Sequence, residues 1–233
     1  MAAGRVSRGP LGSKRTGETL EVILFPRPRE LVRRMPRLLV GITLLGAGVA
    51  LMLRAKLGLS PWDVLHQGLA DHLGLSVGVV IIGLGVLILL TWIPLHQGFG
   101  VGTIINTLVV GLIVNGVFDV LAAPHGLWLR SALMVAGVLC VGVGTGCYIA
   151  AGLGPGPRDG VMTAIAARGY PLWAVRTVME AAALVGGLAL GGNVGVGTLL
   201  FAVGIGPLAD VFLRLFRLPP LPESERGIGV TGE

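Results

Sequence analysis

Two segments of this chain carry residue types that could do chemistry: LGLSPWDVLHQGLA at 57–70 and LGPGPRDGVMTAIA at 153–166. Each sets a glycine and a proline ahead of an aspartate: Gly58, Pro61 and Asp63 in the first, Gly154, Pro157 and Asp159 in the second. Glycine and proline together mark a break in helical structure. Proline also suits the first position of a new helix, where its missing N–H needs no partner. Asp63 and Asp159 then fall in a first turn, where a carboxylate is favoured by the positive end of the helix dipole. Arg158 adjoins Asp159, and Arg176 and Glu180 stand four apart, so they share one helix face. The chemistry on offer is charge recognition. Arg158, Asp159, Arg176 and Glu180 are expected to form a cluster, either a self-neutralising structural clasp or a binding site for a charged group at a cytoplasm-facing cavity. Asn106, Asn115 and Asp119 on one apolar stretch, and Asp210 on another, either line a pathway or bond between helices at about 1 kcal/mol each.

Other constellations are missing. AGLGPGPRDG is glycine-rich but lacks the Lys-Ser/Thr ending of a phosphate-binding loop, and neither GxSxG nor HExxH occurs. His66, His72, His96 and His125 read as scattered loop residues with no ligand spacing. Cys140 and Cys147 are seven apart on one stretch. Two helical turns, roughly 10 Å, put them beyond disulfide reach and leave them as small packing residues. No catalytic set, metal site or cofactor is expected, and the chain does not read as an enzyme.

The surrounding elements are apolar. Hydrophobic residues make up 53% of the chain and charged residues 13%, with a mean hydropathy of +0.84. A membrane span takes roughly 20 such residues. Six stretches qualify: about Arg37–Leu53, Ser76–Leu95, Thr103–Ala123, Trp128–Ala151, Leu172–Leu190 and Gly195–Leu215. They lack the alternation of barrel strands and must pair their backbones internally, so they read as helices. The 39 glycines let such helices approach closely. The helices opened by Pro61 and Pro157, ending near His72 and Arg168, are too short to cross. They lie on the membrane surface or re-enter it as half-helices. Trp62, Trp92, Trp128 and Trp173 all fall near expected span ends, where indole rings prefer to sit.

Residues 1–37 hold nine Arg/Lys against three Glu, which is the whole net charge of +6. A charge excess confined to one arm beside the first span argues against nucleic acid and for an amino terminus held in the cytoplasm. The organisation that follows is a disordered basic arm (1–35), a single membrane domain (36–216) and a disordered cytoplasmic tail (217–233), in contact with the lipid bilayer.

The chain also repeats itself. Gly58, Pro61 and Asp63 coincide with Gly154, Pro157 and Asp159 at an offset of 96. Gly46 and Gly48 match Gly142 and Gly144, and GVGT at 100–103 matches GVGT at 195–198 at an offset of 95, which puts Asn115 on Asp210. Each unit holds three spans (about 37–123 and 128–216). An odd number forces the second unit to enter the membrane from the opposite side, an inverted repeat of the kind used by many transporters. The expected fold is an all-α polytopic bundle of six spans built as two inverted three-span repeats, each with one short broken helix.

At AKLGLSPWDVLHQGL (55–69), AGLGPGPRDGVMTAI (151–165), the VRT-x-x-E stretch at 175–180 and the two GVGT segments, the chain resembles the YczE/YitT-type group of bacterial multi-pass membrane proteins. It departs from members with a soluble carboxy-terminal domain, since this sequence ends shortly after the sixth span. The resemblance implies a protein of the bacterial inner membrane and supplies no substrate or functional residue. The functional expectation is a small transporter or permease-like protein for an unknown small molecule, alone or as a homo-oligomer. The alternatives are an accessory or scaffold protein serving a partner membrane protein, or the substrate-capturing subunit of a larger uptake complex.

The orientation is testable in a background with Cys140 and Cys147 replaced by alanine. A cysteine at Glu233 should react with a membrane-impermeant thiol reagent only after the cytoplasmic face is opened. Labelling in intact cells would reverse the topology.

Overall fold

The computed structural model describes residues 28–216, almost all of them in eight helices, with no strand among the described residues. In chain order these are α1 (Pro28–Ala55), α2 (Pro61–Leu73), α3 (Val77–Leu95), α4 (Val101–Val120), α5 (Leu127–Ala151), α6 (Pro157–Ala166), α7 (Leu172–Ala189) and α8 (Val196–Phe216). All except α2 and α6 are long and apolar enough to cross a membrane, and these six match the six expected stretches closely. Large apolar side chains such as Leu87, Leu112, Val178 and Val203 face outward, as a lipid-bathed surface requires.

Two expectations need correction. The arm read as ending at residue 35 is already helical from Pro28. Buried Glu30, Arg34, Leu38 and Ile42 continue one seam of α1 past its apolar portion, and Leu31 and Met35 also pack on the core. Hydropathy detects the bilayer-depth part of a helix and not its polar extension. The rest of the arm and the tail lie outside the described residues. Secondly, Trp62 and Trp92 are buried, whereas Trp128 and Trp173 are exposed. The Trp92 ring sits over Gly160, where a side chain would collide with it, and its Nε1 donates to the Pro157 carbonyl at 3.0 Å.

Arginines tie the helix ends together and reveal the helix directions. Arg34 donates to the Ala151 carbonyl (3.0 Å) and Arg37 to that of Phe216 (2.9 Å), so α1 begins where α5 and α8 end. Arg130 donates to the Ala55 carbonyl (2.7 Å), and Arg54 donates to that of Phe118 through Nε (3.1 Å) with its guanidinium over the Phe118 ring. Hence α1 ends where α5 begins and α4 ends. A cation on the last carbonyls of a helix also complements the helix dipole. Asn115 accepts from the Gly78 N–H (2.9 Å) and donates to Ser76 Oγ (2.8 Å), fixing the start of α3 at the end of α4.

The centre of the bundle is the antiparallel pair α1 and α5. Gly41 lies against Gly144 and Gly48 against Gly137, so close that a Cβ on Gly41 or Gly144 would come within 2.8 Å of the other's carbonyl oxygen. Flanking this pair, α4 packs on α1 and α8 on α5; outside them α2 packs on α7 and α3 on α6.

The two Pro-Asp corners are held by backbone pairing across the bundle. Gly102 N–H donates to the Leu153 carbonyl and Gly197 N–H to the Leu57 carbonyl, both at 2.7 Å. The GVGT segment that opens α4 thus holds the second corner, and the one that opens α8 holds the first. Thr103 Oγ1 donates to the Pro155 carbonyl (2.8 Å), and Thr198 Oγ1 accepts from the Leu59 N–H (3.2 Å). Gly58 and Gly154 adopt φ of +118° and +119°, a region that disfavours any Cβ.

Gly58→Ala and Gly154→Ala should each destabilise the purified protein by about 1–3 kcal/mol through backbone strain alone, with steric conflict against Thr198 and Thr103 added. Gly83→Ala, on an open face of α3, should be neutral or slightly stabilising. Thermal unfolding in detergent checks this, and corner variants as stable as Gly83→Ala would refute the pairing.

Candidate functional site

The first turns of α2 and α6 line one cavity from two sides. Its wall includes Asp63 and His66 from α2, Arg158 and Asp159 from α6, Tyr148 from α5 and Asn106 from α4. Apolar side chains complete it, among them Val110, Val141 and Phe201. The space open to the centre of a water molecule is about 90 Å³. One water takes about 10–15 Å³ by that measure, so the cavity admits several waters or a small solute. The short helices therefore begin inside the bundle, while the far end of α2, at Leu73 and Leu75, is exposed. This separates them from helices lying flat on a surface.

The sequence builds each first turn differently. Ser60 is the N-cap of α2: its Oγ accepts from the Asp63 N–H (3.2 Å) and donates to Asp63 Oδ2 (2.5 Å). His66 Nδ1 lies 3.3 Å from Asp63 Oδ1, one turn along the same helix. Gly156 is the N-cap of α6 and supplies no side chain, so that end has no side-chain cap. Tyr148 donates its hydroxyl to Asp159 Oδ2. Both carboxylates thus have donors from the protein. Arg158 lies within electrostatic reach of Asp159, Asp63, Tyr148 and Glu180, yet among the described residues it makes no hydrogen bond or close ion pair.

Of the residues singled out in the sequence, Asp63, Arg158, Asp159 and Asn106 meet at this cavity, with Gly58, Pro61, Gly154 and Pro157 forming the corners that bring them there. The expected four-residue cluster is split. Arg176 and Glu180 form a partly exposed ion pair along α7 (2.9 Å) and do not line the cavity. Asn115 joins α3 to α4, Asp119 is exposed, and Asp210 pairs with Arg214 at the surface (2.8 Å). Three contributors escaped the sequence reading as site residues: Ser60, Tyr148 and His66, the last lying in α2, the short helix expected after Pro61. Tyr148 carried one faint signal, a hydroxyl placed inside an otherwise apolar span. Among the described residues, no group of three or more His, Cys, Asp or Glu could hold a metal ion.

A polytopic helical membrane protein with a central cavity of mixed charged and apolar lining is the class these features define. The chain belongs to a family of unknown function, DUF6198, whose model matches residues 32–214. It is 37% identical over 187 residues to an "Uncharacterized protein" of Haemophilus influenzae, covering 79% of this chain and 86% of that one. It is 35% identical over 195 residues to the "Uncharacterized membrane protein YczE" of Bacillus subtilis (82% and 88%), and 27% identical over 197 residues to "Uncharacterized protein YyaS" of the same organism (81% and 96%). No solved structure matches the chain.

Tyr148→Phe removes a donor from the Asp159 carboxylate and should cost about 1–3 kcal/mol. Asp159→Asn should lose less in the Tyr148→Phe background than in the wild type. A double-mutant cycle on thermal unfolding measures that coupling, and strictly additive losses would mean the two groups act independently.

Proposed function

We propose that the protein is a small permease-like carrier of the bacterial inner membrane, with the cavity between the starts of α2 and α6 as its solute site. In this reading the two halves are an inverted repeat, and alternating access arises from one half moving against the other. The observation that carries it is the convergence of two broken helices, at corresponding places in the chain, on one partly open cavity that sets a few charged groups among apolar walls. Irregular backbone within a membrane domain persists only where protein covers it or a watery cavity adjoins it, and a half-buried arginine without a hydrogen-bonded partner at such a cavity is expensive unless water or a solute meets it.

Three further features support the reading. Helices α1 and α4 run one way and α3, α5 and α8 the other, so α1 and α5, the first helices of the two halves, are opposed. The corner-to-GVGT bonds are reciprocal, Gly102 to Leu153 and Gly197 to Leu57. The halves also differ in closure: α3 packs along α4, but α7 scarcely touches α8. Equivalent parts in unequal arrangement are what a two-fold carrier has when it faces one side.

Reconstituted into liposomes, the protein should accelerate uptake of at least one member of a panel of small metabolites, and Arg158→Gln should reduce that flux tenfold or more. Protein-free liposomes set the baseline. No flux across the panel, together with stoichiometric co-purification of a partner membrane protein, would replace the carrier with an accessory role.

A further inference from the structure

The two corners agree at glycine, proline and aspartate, but they differ at two positions that face the cavity. Ser60 in the first corresponds to Gly156 in the second, and Trp62 corresponds to Arg158. The differences act in one direction. At α2 the serine caps the helix and the carboxylate is engaged by Ser60 and His66. At α6 the cap is gone and a guanidinium takes the place of an indole.

The wall of the cavity holds two carboxylates, Asp63 and Asp159, and one guanidinium, Arg158, which lies within electrostatic reach of both. Asp63 and Asp159 are already served by Ser60, His66 and Tyr148. Arg158 has no hydrogen-bonded acceptor among the described residues, and neither has the buried Nε1–H of Trp62, a side chain that is 92% buried. The first-turn N–H groups of α6 lack a side-chain cap. A planar guanidinium with free donors matches a carboxylate through two parallel hydrogen bonds, and an uncapped helix start adds to the attraction for negative charge. The remainder of the wall is Val110, Val141, Phe201 and similar residues, which suit a hydrocarbon body. The volume of about 90 Å³ holds roughly six to nine water-sized groups.

Resting on the reading of this cavity as the solute site, we propose that it binds a small monocarboxylate, with the carboxylate on Arg158 at the start of α6 and the apolar body against Val110, Val141 and Phe201. The second corner is then the recognition element, and the first, capped and self-satisfied, is the structural counterpart from which it diverged.

Calorimetric titration of the full-length protein in detergent tests this with butyrate, butyramide, butylammonium, 2-aminobutyrate and inorganic phosphate as probes. Butyrate should bind at least tenfold more tightly than each of the others. Arg158→Gln should weaken butyrate binding tenfold or more, and Arg158→Lys by less. Gly156→Ser gives α6 the cap that α2 already has. Its φ of −66° and ψ of +163° suit a serine N-cap, so the empty protein should unfold at an equal or higher temperature while butyrate binding falls. That pairing of outcomes separates loss of a site from loss of folding. Butyrate binding no tighter than butyramide, tighter binding of the amine, the zwitterion or phosphate, or butyrate affinity unchanged in both Arg158→Gln and Gly156→Ser would overturn the assignment. Butyrate binding without flux removes the carrier reading and leaves the site standing, whereas flux of other solutes without butyrate binding does the reverse.

Discussion

A chain that breaks a helix inside an apolar environment exposes backbone N–H and C=O groups that water cannot reach, and each must find a partner within the protein. Here the partners come from across the bundle. The Leu57 and Leu153 carbonyls, freed by the two Gly-Pro corners, accept from Gly197 and Gly102. Glycine is required on both sides of each contact: a Cβ on Gly195 would lie 2.4 Å from the Leu57 oxygen, and one on Gly100 would lie 2.3 Å from that of Leu153. With those bonds in place, α2 and α6 start inside the bundle and the cavity lies between them. The rest of the site follows from that geometry, because the first-turn residues of a helix that begins indoors must face whatever space lies at its tip.

Much of this was legible in the sequence because bilayer solvation leaves a coarse imprint. The six long helices follow from hydropathy, and the corners follow from Gly58, Pro61, Gly154 and Pro157, whose backbone preferences are local. The seam of Gly41, Gly48, Gly137 and Gly144 was visible in part, through glycine content and the repeat match of Gly48 with Gly144. Which glycine meets which depends on α1 and α5 lying side by side and antiparallel, a relation no local pattern encodes. The same holds for Trp92. Its place near a span end suggested an interfacial ring, but Gly160 on another helix leaves room for it inside.

Charged residues divided along a line that the sequence could not draw. Pairs spaced four apart on one helix, Arg176 with Glu180 and Arg214 with Asp210, satisfy each other at the surface. Exposed pairs of this kind contribute only a few tenths of a kcal/mol to a helix, on the order of 0.3–0.5, and they say little about function. Asp63 and Asp159 are different because their donors come from a cap, a histidine one turn on, and a tyrosine on another helix. Spacing rules reach the first kind of pair and also Ser60 and His66, each three residues from Asp63, but not Tyr148, whose partner lies on another helix.

The packing also limits how such a bundle could move. Gly41–Gly144 and Gly48–Gly137 bring α1 and α5 to backbone contact, and the arginine bonds at both ends of the pair hold them in register. A seam that close cannot widen without losing most of its dispersion contacts at once, so it behaves as a fixed axis. The outer pair α2 and α7 is also in backbone contact, through Gly68 and Gly187. Helix α7 is exposed along much of its length and scarcely touches α8, and α3 leans on α4 and α6. The contacts between neighbours outside the central pair are uneven: α7 and α8 scarcely meet, whereas α2 with α7 and α3 with α6 pack together. Each of those pairs joins a short helix of one half to a spanning helix of the other. Each pair therefore supplies one wall of the cavity, tied to the rest of the bundle through the corner-to-GVGT bonds.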